Sequence, residues 1–246
     1  MLGDSALQVQ ASYFLGQAYA IIGDFVRAAE LLRWSVEAAD KESDQPSTER
    51  IGSQARLARL LGALGAFAEG RRHGEEALRL ATLAGRGLTP IMAHGCLGHL
   101  SLTQGDLERA IRVLEQGLAL CHASGAQTWL QTIAGSLGFA YGLQGRLTEG
   151  RVLLEEGISD SLRTGDLQGQ AARSAWLSEV CRLAGRGEEA WRHACQALVL
   201  AQQQQARGDE ARYTSWALSM PTLTLPILRR PRATTSKPWP WPWPRS

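Results

Sequence analysis

Hydrophobic positions along this chain recur in blocks of about forty residues. Within each block they fall three and four apart, the spacing of one face of an α-helix, and each block is broken near its middle by a glycine. Aligning the segments IIGDF, ALGAF, TQGDL, LQGRL and LAGRG brings Gly23, Gly65, Gly105, Gly145 and Gly185 into register, at intervals of 42, 40, 40 and 40 residues. Repetition on that scale predicts stacked supersecondary units rather than one globular core.

The register extends to both sides of the turn. Eight residues before each glycine stands a leucine (Leu15, Leu57, Leu97, Leu137, Leu177), followed at once by a small residue (Gly16, Ala58, Gly98, Gly138, Ser178). A large anchor beside a residue without bulk lets two helices approach closely. Five residues after the turn comes another small residue (Ala28, Gly70, Ala110, Gly150, Ala190), and thirteen after it an aliphatic one (Val36, Leu78, Leu118, Ile158, Leu198). Each block therefore reads as two amphipathic helices joined by a tight turn. Glycine suits the left-handed end of the first helix, and Asp24 and Asp106 are placed to cap the second. A second set of glycines, Gly3, Gly85, Gly125 and Gly165, marks boundaries between blocks. The polar stretch DKESDQPSTER, with Pro46, takes that place between the first two blocks and predicts a longer loop.

This grammar resembles the tetratricopeptide repeat family over residues 7–211, as in LGFAYGLQGRLTEGRVLLEEG. The period is about 40 rather than the family's 34, and the proline that often closes the second helix is missing. The longer period looks like the MalT-like repeat regions that follow ATPase modules in large bacterial regulators. The resemblance implies an all-α, right-handed α-solenoid of about five helix-turn-helix repeats with a concave groove.

Composition divides the chain near residue 211. The net charge is +2 overall, yet residues 1–211 carry 20 basic against 24 acidic groups, a net of −4, whereas residues 212–246 hold five arginines, one lysine and no acid. All 26 glycines precede residue 212, and seven of the nine prolines follow it. The expected organisation is a solenoid over 1–211 and a Pro/Trp/Arg-rich disordered tail over 212–246. Neither an export signal nor a membrane span is legible. Cys96, Cys121, Cys181 and Cys195 form no C-x-x-C pair, so a reducing cytoplasm suits them.

Catalytic chemistry leaves no trace in the motifs. The two lysines, Lys41 and Lys237, follow no glycine, which excludes a Walker phosphate loop, and neither H-E-x-x-H nor G-x-S-x-G occurs. His94 with His99, and Cys121 with His122, lack a common metal spacing; Cys121 sits at a small packing position shared with Ala39, Ala81 and Ala201. The pairs Glu155-Glu156 and Glu188-Glu189 fall on second helices, where a solvated face is the ordinary expectation. No enzyme activity, cofactor or metal is expected.

Carried over position by position, the family resemblance implies that first-helix residues six before each turn line the groove: Gln17, Arg59, His99, Phe139 and Glu179. Tyr13, Met92 and Arg182 occupy other groove positions. Each is equally compatible with a residue that touches no partner. The mixed set implies a protein or peptide partner rather than nucleic acid, and a scaffold belonging to a larger bacterial regulator. The alternative is a ligand- or peptide-sensing module for an ATPase or transcription-factor domain outside this chain.

The tail ends PWPWPWPRS. It admits a polyproline ligand, a membrane or nucleic-acid contact, or plain disorder. The genetic code supplies another reading. With each codon's last base joined to the next two, Trp-Pro junctions read as alanine and Pro-Trp junctions as Leu, Met or Val. The run becomes aliphatic–alanine alternation, like ALRLA and ALVLA upstream. The same shift places an aliphatic–glycine pair near Trp216, where a sixth repeat needs its leucine and small residue. The expectation is a native frame lost near Ala211 or Arg212.

Overall fold

The computed structural model describes residues 2–42, 47–85, 87–165 and 169–203. Among them are ten helices: α1 (Leu2–Ile21), α2 (Phe25–Glu42), α3 (Thr48–Ala63), α4 (Phe67–Ala84), α5 (Thr89–Gln104), α6 (Leu107–Ser124), α7 (Gln127–Leu143), α8 (Leu147–Thr164), α9 (Gln170–Leu183) and α10 (Gly187–Gln203). They pair in chain order into five antiparallel hairpins of a tetratricopeptide-like α-solenoid, as the forty-residue grammar predicts.

All five hairpin turns share one geometry. Gly23, Gly65, Gly105, Gly145 and Gly185 adopt φ of 86°, 82°, 85°, 91° and 73°. The residue after each glycine donates its N–H to the carbonyl five residues back, as Asp106 does to Ser101 at 3.0 Å and Arg146 to Tyr141 at 2.9 Å, while the glycine N–H reaches three back. This double closure satisfies the carbonyls left over at the first helix's end. Asp24 and Asp106 then accept from the backbone N–H of Arg27 and Arg109, each at 3.2 Å.

Small residues bring the paired helices together. A β-carbon at Gly98 would lie 2.5 Å from Leu114 Cγ, and one at Gly16 would lie 2.8 Å from Leu32 Cγ. The leucines beside them reach backwards: Leu97 packs on Gly74 of the preceding hairpin. Leu57, Leu97, Leu137 and Leu177 are accordingly 1% exposed or less. Leu15 departs from this pattern at 51% exposure, because no preceding hairpin covers it among the described residues. One further expectation needs correction. Gly3 is helical, inside α1, not at a boundary, whereas Gly85, Gly125 and Gly165 do end second helices with positive φ. At the borders of the polar stretch after Ala39, α2 runs through Glu42 and α3 starts at Thr48, capped by Ser47 and tied back by an Arg50–Asp40 ion pair of 2.6 Å. Charged residues end one helix and begin the next there.

First helices touch in sequence, α1 on α3, α3 on α5, α5 on α7 and α7 on α9, so they form a continuous row, with each second helix bridging to the next hairpin. The expectations for 204–211, the tail 212–246 and residues 43–46 lie outside the described residues.

Candidate functional site

The row of first helices carries all eight groove candidates, and packing divides them. Tyr13, Met92, His99, Phe139 and Glu179 are buried; Gln17, Arg59 and Arg182 are partly exposed. Depth follows from the small residues between neighbouring first helices. Gly62, Gly95, Gly135 and Gly142 sit against Leu100, Ile133, Arg173 and Val180 of the next hairpin, drawing the helices close and enclosing the larger side chains between them.

Two candidates converge on one residue that the sequence reading did not single out. Trp176 of α9 stacks on Phe139 of α7, with centroids 5.3 Å apart and planes at 7°, and its ring lies 6.2 Å from that of His99 on α5. Further along α9, Arg182 donates from Nε and Nη2 to the two carboxylate oxygens of Glu179, each at 2.6 Å. This bidentate pair raises the pKa of Arg182 above its ordinary value, chiefly through the hydrogen bond to Glu179. His99, Phe139 and Trp176 thus form one aromatic cluster across three hairpins, and Glu179 with Arg182 a separate ion pair on α9.

A second cluster lies towards the other end. Arg56 donates from Nε to the Tyr13 hydroxyl at 3.2 Å, and its guanidinium lies 5.7 Å from the Tyr13 ring centroid and 5.9 Å from that of Trp129. Arg59 follows one turn later on α3. Burial pushes the Cys96 thiol up, and the positive charges of Arg56 and Arg59 oppose that rise, which places both arginines near α5. On α1, the Gln17 side-chain nitrogen is buried without a hydrogen-bond acceptor among the described residues. Met92 joins neither cluster; it packs with Ile51, Ala55, Leu80 and Cys96.

The residues missed by the sequence reading share a cause. Arg56, Trp176, Trp129 and Arg173 occupy register positions whose side chains change type from repeat to repeat, so no pattern flags them. Arg173 is buried between hairpins, where the other repeats have Ala11, Ser53, Ala93 and Ile133. Its Nη2 donates to Ser161 Oγ at 2.5 Å; Ser161 reaches Gln131 Oε1 at 2.7 Å, and Gln131 Nε2 donates to Asp160 at 3.2 Å. Beside this relay, Leu118, Leu130, Leu153, Glu156 and Arg163 help to line a cleft of about 310 Å³ between α6, α7 and α8.

Reactive groups are engaged in structure. Cys121 is buried at its small-residue position and burial pushes its thiol up to about 11, which suppresses the nucleophilic thiolate. Glu155 and Glu189 pair with Arg151 at 3.7 and 3.8 Å on the outer helices. Among the described residues no group of three His, Cys, Asp or Glu is placed to hold a metal, and no helix is long and apolar enough to cross a membrane.

No protein-family model matches the sequence, and no curated protein matches it either. Solved structures do share the fold. The Rap conjugation gene regulator of plasmid pLS20, in complex with the Phr* peptide, superposes with a TM-score of 0.69 at 15% identity, over 87% of this chain and 57% of that one. A thermophilic tetratricopeptide repeat protein of Thermus thermophilus gives 0.62 at 17% identity, over 86% and 100% of the two chains. A putative kinesin light chain from Podosopora anserina with nearly identical TPR-like repeats, in its Q17M form, gives 0.59 at 21% identity, over 80% and 96%. At these identities the likeness establishes the tetratricopeptide-like fold.

Proposed function

We propose that this chain is a non-enzymatic scaffold that holds a segment of a partner protein along the row of first helices, which we take as the concave side of the solenoid. The observation that carries the reading is the cationic character of that row against an acidic body. The first helices carry Arg50, Arg56, Arg59, Arg173 and Arg182 against Asp4, Glu49 and Glu179, a net of +2, while residues 1–211 carry a net charge of −4. Complementary charge steers encounter and selects partners, so the segment is acidic. Tyr13, Phe139 and His99 shape the floor, and the buried Gln17 amide offers a donor to a partner carbonyl.

The forty-residue period supports placing residues 1–211 in a larger bacterial regulator of the MalT-like type, with residues 212–246 as an out-of-frame continuation. A peptide-sensing role is the second reading, favoured by the fold shared with a regulator seen holding the Phr* peptide. The test is a titration of labelled acidic and basic peptides against the wild-type chain and Arg59→Glu. Acidic peptides should bind, and Arg59→Glu should weaken them by about 10-fold or more with helicity unchanged. Equal binding of basic peptides, or indifference to Arg59→Glu, counts against the groove. A scattering profile that changes on peptide addition selects sensing over static scaffolding.

A further inference from the structure

The outward face of α1 stands apart from every other first helix. Val9, Tyr13 and Gly16 turn inward: the Val9 carbonyl accepts from Ser35, Tyr13 meets Gly52, and Gly16 meets Leu32. On the other side, Leu7, Phe14, Leu15, Ile21 and Ile22 are all between 50% and 64% exposed, and Ala11 and Ala18 are exposed between them. At about 100° per residue these seven side chains fall in one stripe roughly 120° wide. Residues 6–23 contain no Asp, Glu, Lys or Arg. At the Ala11, Leu15 and Ala18 registers this is the face that α3, α5, α7 and α9 bury against the hairpin before them, and Leu15 holds the register of four leucines that are 1% exposed or less; at the registers of Ile21 and Ile22, Leu183 and Leu64 stay 40% and 42% exposed.

We propose that α1 is a dimerisation helix, its outward stripe pairing antiparallel with the same stripe of a second copy of this chain. Within the stripe, Leu7, Phe14 and Ile21 form a line symmetric about Phe14. Leu7 and Ile21 lie seven residues to either side, so a two-fold axis at Phe14 sets Leu7 against Ile21 of the second copy and Phe14 against Phe14. Seven-residue spacing keeps such a seam in contact along two helices. A face without charge meets its own image without repulsion, and a self-complementary patch closes as a dimer rather than growing into a filament. Five large side chains half exposed or more on each copy bury a total on the order of 1,000 Å², the threshold for a specific interface. The pairing involves the solenoid's end rather than its groove, so it stands or falls separately from peptide binding.

Sedimentation velocity over a concentration series reads the proposal directly. The wild-type chain should pass from monomer to dimer. Phe14→Glu with Leu15→Glu should weaken association by about 100-fold or more, since two charges per copy would be buried unpaired. Leu83→Glu, at an exposed leucine on α4, should leave it unchanged. Should the double variant lose helicity, a Phe14→Cys, Cys195→Ser chain supplies the second measurement: mild oxidation should cross-link it into a dimer, and the matching Trp34→Cys chain should stay uncross-linked. Monomer at every concentration, as for a face covered by some other helical hairpin, overturns the proposal. So does a ladder of higher oligomers, or a dimer indifferent to the paired glutamates.

Discussion

Glycine does two different jobs in this chain, and the distinction is physical rather than compositional. Gly105 has φ of 85° and open space where a β-carbon would lie, so its role is conformational. Gly150 is helical, and a β-carbon there would stand 2.5 Å from the Gly138 carbonyl and 2.8 Å from the Gly142 nitrogen. Backbone cannot yield as a side-chain tip can. Gly105→Ala should cost about 1–2 kcal/mol, the strain of a left-handed alanine, whereas Gly150→Val should cost about 3 kcal/mol or more by prising α7 from α8. Urea unfolding of the two variants gives the comparison, and equal losses would contradict the assignment. Both glycines were legible in the sequence, because their register positions repeat. Trp176 was not, since its position holds Phe14, Arg56, Cys96 and Ser136 in the other repeats.

Helices meet through half-buried histidines as well as through apolar contacts. Burial is the leading cause that lowers the pKa of His73 on α4, His94 on α5 and His193 on α10 from 6.5. For His73 the Glu69 carboxylate opposes the shift and Arg72 and Arg33 reinforce it. For His94 the Val113 backbone opposes, and for His193 Gln196, Glu155 and Glu189 oppose while Arg192 reinforces. Each histidine is neutral in the fold at a pH where the unfolded chain is already taking up protons. Their stabilising effect is complete above pH 6.5 and is lost as pH falls through the lowered values. The melting temperature should therefore decline between about pH 7.5 and 5, and His94→Gln should flatten part of that decline. A melting temperature constant over this range would refute it. Glu69, Glu76 and Asp160, held low by hydrogen bonds from Arg33, Arg79 and Arg163, add their loss only at more acid pH, and weakly where solvent screens them.

The hairpins contact their neighbours, so the molecule behaves as a chain of interfaces. Leu32 belongs to a cluster confined to α1, α2 and α3, whereas Leu114 lies in a cluster reaching from α5 to α10. Leu114→Ala should cost about 3–4 kcal/mol and reduce hydrogen-exchange protection throughout α5–α10. Leu32→Ala should cost a similar amount but leave protection beyond α3 intact. Uniform loss in both variants would mean one cooperative unit. The sequence alone determined the hairpins, their turns and their order, because those depend on local closure and on a spacing repeated five times. It also showed where small residues permit close approach. Only the tertiary structure decided how that closeness is used. It buried Phe139 and His99 on Trp176, set Arg56 between Tyr13 and Trp129, enclosed Arg173 and left the outer face of α1 open. Such pairings join residues of different repeats whose identities do not repeat, and packing in three dimensions alone brings them together.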